Sequence, residues 1–274
     1  MKKKTANKKL YTVVLPIVLS AVLALLCLAG ILKRPDRWIQ DTLYQEEKAW
    51  SGRIVVIGID EKALSEIGPY QTWGRGVVAS ALEVLAADPE HMPAVVAVDT
   101  LYSGTSDDAE ADERLAQAVK KLGCVVSASA GQIGAEVKED ENGRLYYAYH
   151  QLLSYDEPFK ALADASAAIG HINAEYDIDG IMRHAILKLP EESGISVYSM
   201  AYEIARLYGE KQGVAVKEPP VDARSYWYVD YSGKPGAYYD DVSIADLIAG
   251  RVDPSYYEDR IVLIGPHASG LQDS

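Results

Sequence analysis

The body of the chain alternates short, wholly apolar runs with longer segments whose apolar residues recur at helical spacing. The runs "IVVIGI", "AVVAV" and "IVLIG" lack polar residues at alternate positions, which is typical of strands that are buried on both faces. The segment "SDDAEADERLAQAVKKLG" instead carries a stripe of alanine and leucine, acids at its start and lysines before a closing glycine. These features predict an amphipathic helix.

The same patterns divide the rest of the body into elements. Further helices are predicted in "EKALSEIG", "GVVASALEVLAA", "PFKALADASAAIG", "ISVYSMAYEIARLYG" and "SIADLIAG", and further strands in "CVVSASA" and "SYWYVDYSG". The stretch "EVKEDENGRLYYAYH" predicts a hairpin or a loop around Asn142 and Gly143, and "GHINAEYDIDGIMRHAILKLP" a strand, a turn and a strand. The predicted fold is α/β, a largely parallel sheet with helices on both faces and an antiparallel addition near residues 170–190.

Residues 11–32 form a run of 22 residues without a charge. A helix of this length spans roughly 30 Å, the thickness of a bilayer core, and five lysines precede it. The run therefore predicts a transmembrane helix that contacts the lipid bilayer, with residues 1–10 in the cytoplasm and residues 34–274 outside it. The alternative is a cleaved signal peptide, but "CLAG" is a poor cleavage site.

The net charge limits the classes of partner, and the cysteine content limits the disulfides that the chain can form. The chain of 274 residues carries a net charge of −13, and because residues 1–9 hold five lysines and residues 10–32 no charge, the rest sums to −18 (−13 − 5). So acidic a body is expected to repel nucleic acid, whereas cations, sugars, peptides or a basic partner stay compatible with it. Cys27 lies in the apolar run and Cys124 in the body, so the body has no internal disulfide.

Polar residues follow the predicted buried strands directly. Asp60 and Asp99 end two of them, and the loop at residues 265–270, which contains His267 and Ser269, follows a third. Because ligands of parallel α/β sheets bind beyond the carboxyl ends of the strands, these side chains are candidates for binding a small ligand or a cation.

Two more residues join this candidate set. Glu61 follows Asp60 directly, and Arg75 can pair with Asp60 or Asp99, either as a plain ion pair or as a ligand clamp. Structural alternatives stay open for the two aspartates, because Asp60 precedes a predicted helix as an N-cap residue does and Asp99 can cap or turn the chain.

A second group of polar residues surrounds the motif "DIDG". Aligning its glycine with the sixth position of a calcium loop puts Asp177 and Asp179 at ligand positions, but Ile186 then occupies the twelfth position and cannot supply a carboxylate. A turn is the better reading, with His171 and Arg183 as secondary candidates beside it. No metal spacing, nucleophile motif or dinucleotide fingerprint occurs, so we expect no cofactor and no catalytic residue.

The order of these stretches resembles the second type of CHASE domain, a sensory extracellular domain associated with cyclases and histidine kinases. The resemblance is carried by "IVVIGIDEKALSEIG", "TWGRGVVASALEVL", "PAVVAVDTLYSG", "DERLAQAVKKLGCVVSASA", "IGHINAEYDIDGIMRHAILKL", "YSMAYEI" and "DRIVLIGPHASGLQDS". Two positions depart from the family pattern. "WGRG" stands where a Trp-Pro-x-Arg pattern is usual, and His267 stands where a small residue is expected.

The resemblance implies a membrane receptor in which an extracytoplasmic sensor is coupled to a cyclase or kinase output. It also implies that the family continues beyond Ser274, so we expect the sensor to be incomplete at its C-terminus. Three functions stay open: a sensor that binds a ligand at the strand ends, an interaction module that forms a homodimer without a ligand, and a hydrolase that uses the two aspartates.

Overall fold

The computed structural model describes residues 10–31, 33–44, 51–177, 179–191, 195–233, 240–268 and 271. The chain divides into two compact units. The first comprises Met1–Ala49 with Asp230–Gly233, and the second comprises Trp50–Val229 with Lys234–Ser274.

The first unit contains an apolar helix and an amphipathic one. A π-helical turn at Leu10–Val14 leads into α1 (Leu15–Leu28), and α2 follows at Lys33–Tyr44. Residues Tyr11–Leu28 have a mean hydropathy of 2.5 and none is buried, so this helix is long and apolar enough to cross a membrane. The helix ends four residues before the predicted limit of residue 32, at a turn that contains Gly30. The sequence did not predict α2, because its composition is polar and mixed.

The second unit is built on a parallel sheet. Among the described residues its strands lie in the order β4-β3-β2-β10-β1-β9, with β5 also paired to β3. The bounds are β1 (Ile54–Ile59), β2 (Val95–Val98), β3 (Val125–Glu139), β4 (Leu145–Asp156), β5 (Ala168–His171), β9 (Asp240–Ser243) and β10 (Ile261–Pro266). All pairs in this sheet are parallel except β3 with β4. This architecture confirms the predicted fold class.

Helices cover both faces of the sheet. The helices of this unit are α3 (Glu61–Ile67), α4 (Arg75–Leu85), α5 (Ala109–Leu122), α6 (Lys160–Ala165), α7 (Met200–Lys211) and α8 (Ile244–Ile248). Five of them share one core with alternate residues of the strands, among them the fully buried Val55 and Ile57. The other core lies under α7, where Met200 meets Val95 and Val126. Because these strands are wholly apolar, their alternate side chains pack into a separate core on each face of the sheet.

A second, smaller sheet carries the antiparallel addition. It joins β6 (Ala174–Glu175), β7 (His184–Ile186) and β8 (Tyr226–Tyr228) in antiparallel pairs. The predicted strand-turn-strand is therefore confirmed, but as a separate sheet. Differences also occur in the main sheet. β9 was not predicted, and β3 continues beyond "CVVSASA" into the hairpin with β4, with register shifts near Gln132 and Gly134.

One glycine sets the distance between β5 and α7. A Cβ atom at Gly170 would lie 2.7 Å from the backbone nitrogen of Met200, well inside van der Waals contact. A residue with a side chain would therefore force the strand and the helix apart, and the short run "AIGH" fits here only because it contains glycine.

Candidate functional site

The carboxyl ends of the strands bring several predicted residues to one edge, but not in the expected order. The strands that end at Asp60 and Asp99 are not neighbours, because β10 lies between them and pairs with both. Asp60 is the N-cap of α3. Its Oδ1 accepts a hydrogen bond of 2.8 Å from the backbone nitrogen of Ala63 and one of 2.7 Å from the Ser243 hydroxyl. Ser243 caps α8 in turn, so Asp60 links the starts of two helices.

The remaining strand-end residues lie around the end of β10. Asp99 is exposed, and a Cβ atom at Gly265 would lie 3.2 Å from the Asp99 Cβ atom. The backbone nitrogen of His267 donates to the carbonyl of Ile59, and its Nδ1 lies 3.3 Å from Oδ2 of Asp241 on β9. Glu61 is exposed in the first turn of α3. Ser269 lies outside the described residues. Sequence reasoning missed Asp241 because β9 was not predicted.

Arg75 pairs with neither Asp60 nor Asp99. Its Nη1 donates to Oδ1 of Asp112 at 2.6 Å, and its Nη2 donates to the carbonyl of Gly104 at 2.7 Å. The guanidinium also lies 4.5 Å from the centroid of the Phe159 ring. The predicted partner of Arg75 was wrong. Asp112 lies one turn inside α5, and in the sequence it is one of several acidic residues that nothing distinguishes from the others.

The surroundings of Asp112 keep it charged. Burial disfavours the ionised carboxylate, but two hydrogen bonds from Ser106 and the charge of Arg75 outweigh burial and lower the pKa of Asp112. Arg75 and Asp112 therefore form a half-enclosed ion pair that holds the loop after β2 against two helices. Both charges are satisfied within the protein, so this arrangement is a structural clamp.

The residues around "DIDG" also satisfy one another. Arg183, which is buried, donates to Oδ2 of Asp177 at 2.7 Å and to Oδ1 of Asp179 at 2.9 Å. Gly180 has a φ of 77°, as the turn requires. This triad fixes the turn between β6 and β7.

His171 is a different case, because it is buried without a clear partner. Its side chain is 2% exposed, and neither ring nitrogen forms a hydrogen bond of acceptable geometry among the described residues. Burial lowers the pKa of His171 to about 4, and the backbone of Leu187 opposes this shift only in part. The imidazole is therefore neutral at pH 7. Its neighbour in the register, Ser129, is equally buried and also lacks a hydrogen-bond partner of acceptable geometry.

Sequence reasoning missed a cavity between the β3-β4 hairpin and the small sheet. This cavity, called the hairpin cavity below, has a volume of about 560 Å³. Its polar and aromatic lining residues are Tyr149, His150, Asn173, Glu175, Arg224 and Tyr226. They come from three separate stretches of the chain. Only "YYAYH" and "SYWY" hinted at them, through their aromatic residues, and neither stretch shows that they meet.

Metal binding finds no support in the described part of the chain. No group of three or more histidine, cysteine, aspartate or glutamate side chains is placed to hold an ion there. The strand-end edge and the hairpin cavity are two places where the described residues gather polar groups.

Comparison with known protein families matches residues 17–274 to the CHASE2 domain. Neither the curated proteins nor the solved structures gave a match. CHASE2 domains are extracellular sensory domains of signalling receptors. The match covers nearly the whole body and part of the apolar helix that precedes it. The chain therefore belongs to the CHASE2 domain family.

Proposed function

We propose that this chain is the extracytoplasmic, ligand-binding part of a membrane-anchored signalling receptor. The observation that carries the proposal is the match of residues 17–274 to a family of extracellular sensory domains. In the full receptor, binding changes the state of the sensor and the membrane segment passes that change to a cyclase or kinase domain.

The apolar helix supports the anchoring part of this proposal. Five lysines precede the helix, and cytoplasmic loops favour positive charge, so the N-terminus is assigned to the cytoplasm and the body to the other side. A single helix of this composition also occurs in signal sequences, so the test must show that it is retained.

The location of the ligand is the second part of the proposal. At the strand-end edge, Asp60 is engaged in capping α3 and in the hydrogen bond from Ser243, and Arg75 in the pair with Asp112. Asp99, His267 and Asp241 are the residues of that edge that can meet a small ligand or a cation. The hairpin cavity has a volume of about 560 Å³, and the charged groups Glu175 and Arg224 in its lining are not paired with each other, which favours it as the ligand site.

A cysteine-labelling experiment tests the topology. In a chain that carries Cys27→Ser and Cys124→Ala, one variant receives Glu141→Cys at the exposed hairpin turn and its matched control receives Thr5→Cys. A membrane-impermeant maleimide is expected to label Glu141→Cys in intact cells and Thr5→Cys only after lysis. The reverse pattern, or recovery of a chain shortened by cleavage, contradicts the proposal.

A stability screen tests ligand binding. The full chain in detergent is unfolded thermally with divalent cations, sugars and small metabolites, since a ligand of the native state raises the melting temperature by mass action. A shift that disappears in Asp99→Asn places the site at the strand-end edge. A folded protein that no compound stabilises, but that forms a homodimer, supports the interaction module. Turnover of a compound that Asp99→Asn abolishes supports the hydrolase.

A further inference from the structure

We propose that the hairpin cavity binds a small zwitterion, a free α-amino acid in chemical class. The inference rests on the proposed function, because it names the ligand class of the sensor. The volume of about 560 Å³ falls in the range of roughly 300–1,000 Å³ that small-molecule sites occupy. A zwitterion has no net charge, so the strongly acidic body does not repel it.

The first argument is the arrangement of opposite charges on one wall. The hydroxyl of Tyr226 donates to the Glu175 carboxylate, and the guanidinium of Arg224 lies over the ring of the same tyrosine, 4.7 Å from its centroid. Tyr226 is buried and stands between the two charges, which form no ion pair within 4.0 Å. The wall therefore offers a carboxylate for an ammonium group and a guanidinium for a carboxylate.

The guanidinium is available for such a ligand. Its nearest charged neighbour among the described residues is Asp222, whose Oδ2 lies 3.6 Å from Nε of Arg224, beyond hydrogen-bonding distance. Instead, Asp222 uses Oδ1 to accept hydrogen bonds from the backbone nitrogens of Arg224 and Tyr226, at 2.8 and 3.0 Å. The aspartate thus shapes the loop and forms only a long ion pair with Nε of Arg224, whose side chain lines the cavity.

The second argument is backbone strain, which is independent of charge. Among the described residues, three that are not glycine have a positive φ. One of them, His150 with 59°, lines this cavity, and another, Ser225 with 66°, lies between the lining residues Arg224 and Tyr226. Residues other than glycine rarely adopt such conformations, which collect where function requires them. Ser225 separates Arg224 from Tyr226, and its conformation lets both side chains face the cavity.

Two more residues hold the walls in place. Nε2 of His150 lies 3.2 Å from the carbonyl oxygen of Arg224, which can only accept, so this nitrogen carries the hydrogen. Asn173 accepts from the backbone nitrogen of Gly131 and donates back to its carbonyl. The hairpin and the small sheet are therefore tied together around the cavity, as a preorganised binding site requires.

The test uses the full chain in detergent and the twenty common L-amino acids at millimolar concentration. At least one is expected to raise the melting temperature. Its amide, which keeps only the ammonium charge, and its N-acetyl derivative, which keeps only the carboxylate, are expected to bind at least about tenfold more weakly, because each loses one charge-assisted contact. Equal binding of either derivative overturns the zwitterion assignment.

Variants locate the site. Glu175→Gln and Arg224→Gln are each expected to weaken binding by about tenfold or more, whereas Lys160→Gln and Asp164→Asn, which disrupt an exposed ion pair away from the cavity, leave it unchanged. Tyr226→Phe keeps the aromatic ring but removes the hydroxyl that holds the Glu175 carboxylate in place. This variant is therefore expected to bind the amino acid more weakly. Binding that survives both charge variants overturns the proposal.

The outcomes also separate this inference from the proposed function. If a compound other than an amino acid stabilises the chain and the cavity variants do not matter, the sensor proposal stands and the zwitterion site is wrong. If the topology test fails, the sensor proposal falls whatever binds in the cavity.

Discussion

At the scale of single residues, the surroundings decide whether a charged side chain has a structural or a functional role. Asp60 and Asp112 are both aspartates at or near helix starts, yet Asp60 caps its helix and accepts from the cap of another, whereas Asp112 pairs with an arginine. Arg183 pairs with two aspartates and is satisfied, whereas Arg224 stacks on a tyrosine in the lining of the cavity and has only a long ion pair with Asp222. His171 is the residue whose surroundings have the clearest consequence for stability.

Burial of His171 predicts a protein that becomes less stable in mild acid. The unfolded chain binds a proton on this imidazole near pH 6.5, but the folded chain does so only near pH 4. Below pH 6.5 the unfolded state therefore takes up more protons, and the free energy of unfolding falls until the pH reaches about 4. The full loss is about 3 kcal/mol. Urea unfolding at neutral pH and at a pH of about 5 should show roughly 2 kcal/mol of this loss.

Two variants assign the acid sensitivity. His171→Leu removes the titrating group, and its free energy of unfolding is expected to change much less across this window. His91→Gln is the matched control, because Asp88 raises the pKa of the half-buried His91, so protonation of His91 favours the folded state in acid. This variant should be at least as sensitive to acid as the parent. Equal acid sensitivity of His171→Leu and the parent contradicts the assignment.

At the scale of elements, local signals set the helices and strands, and a few long-range contacts hold them in register. Asp108 and Gly123 begin and end α5 as the sequence predicted. The first turn of α4 has no side-chain cap, and Arg75 in that turn instead reaches across to α5. The clamp between Arg75 and Asp112 is thus the contact that fixes these two helices and the loop after β2.

Removing Arg75 is expected to be costly. The side chains of Arg75 and Asp112 are only 11% and 8% exposed, so Arg75→Met leaves a carboxylate without its partner in an enclosed place. We expect the free energy of unfolding to fall by about 3–5 kcal/mol. Arg114→Met is the matched control in the same pair of helices, because its ion pair with Glu83 is 45% and 41% exposed. It should cost less than about 1 kcal/mol.

A double variant separates the ion pair from the packing of the arginine. Arg75→Met with Asp112→Leu removes both charges and should recover part of the loss, as measured by urea unfolding. If Arg75→Met costs no more than Arg114→Met, the clamp is not a main support of this region.

At the scale of the whole molecule, charge and hydropathy are segregated along the chain. Residues Tyr11–Leu28 have a mean hydropathy of 2.5, and everything after residue 32 sums to −18. The acidic body is repelled by anionic lipid, so attachment to a membrane depends on the apolar helix and not on the body.

This segregation predicts how the chain leaves a membrane. Extraction with concentrated salt should leave the chain in the membrane fraction, because salt screens charges but does not weaken the burial of apolar residues in lipid. The double variant Leu19→Arg with Leu23→Arg is expected to appear in the soluble fraction, since each arginine at the centre of a membrane helix costs about 3 kcal/mol. The control, Thr42→Arg in α2, should stay bound. Release of the parent by salt alone argues against the anchor.

The sequence by itself determined the elements and the class of the fold. Wholly apolar runs predict buried parallel strands, and apolar residues at helical spacing with capping residues at the ends predict helices. Both patterns involve residues that are close together in the chain. The apolar N-terminal helix and the resemblance to the CHASE2 family could also be predicted from the sequence. Each rests on a sequence pattern that does not depend on tertiary contacts.

Tertiary structure decided which residues meet. β10 comes from the end of the chain and inserts between β1 and β2, so Asp60 and Asp99 are not on adjacent strands. Asp112 pairs with Arg75, from which it is 37 residues distant in the sequence, and Glu175 accepts a hydrogen bond from Tyr226, 51 residues away. No local pattern encodes such contacts, because their partners are set by the order of strands and the packing of helices. The hairpin cavity could therefore not be predicted from the sequence, because it forms only when five separate stretches of the chain fold around it.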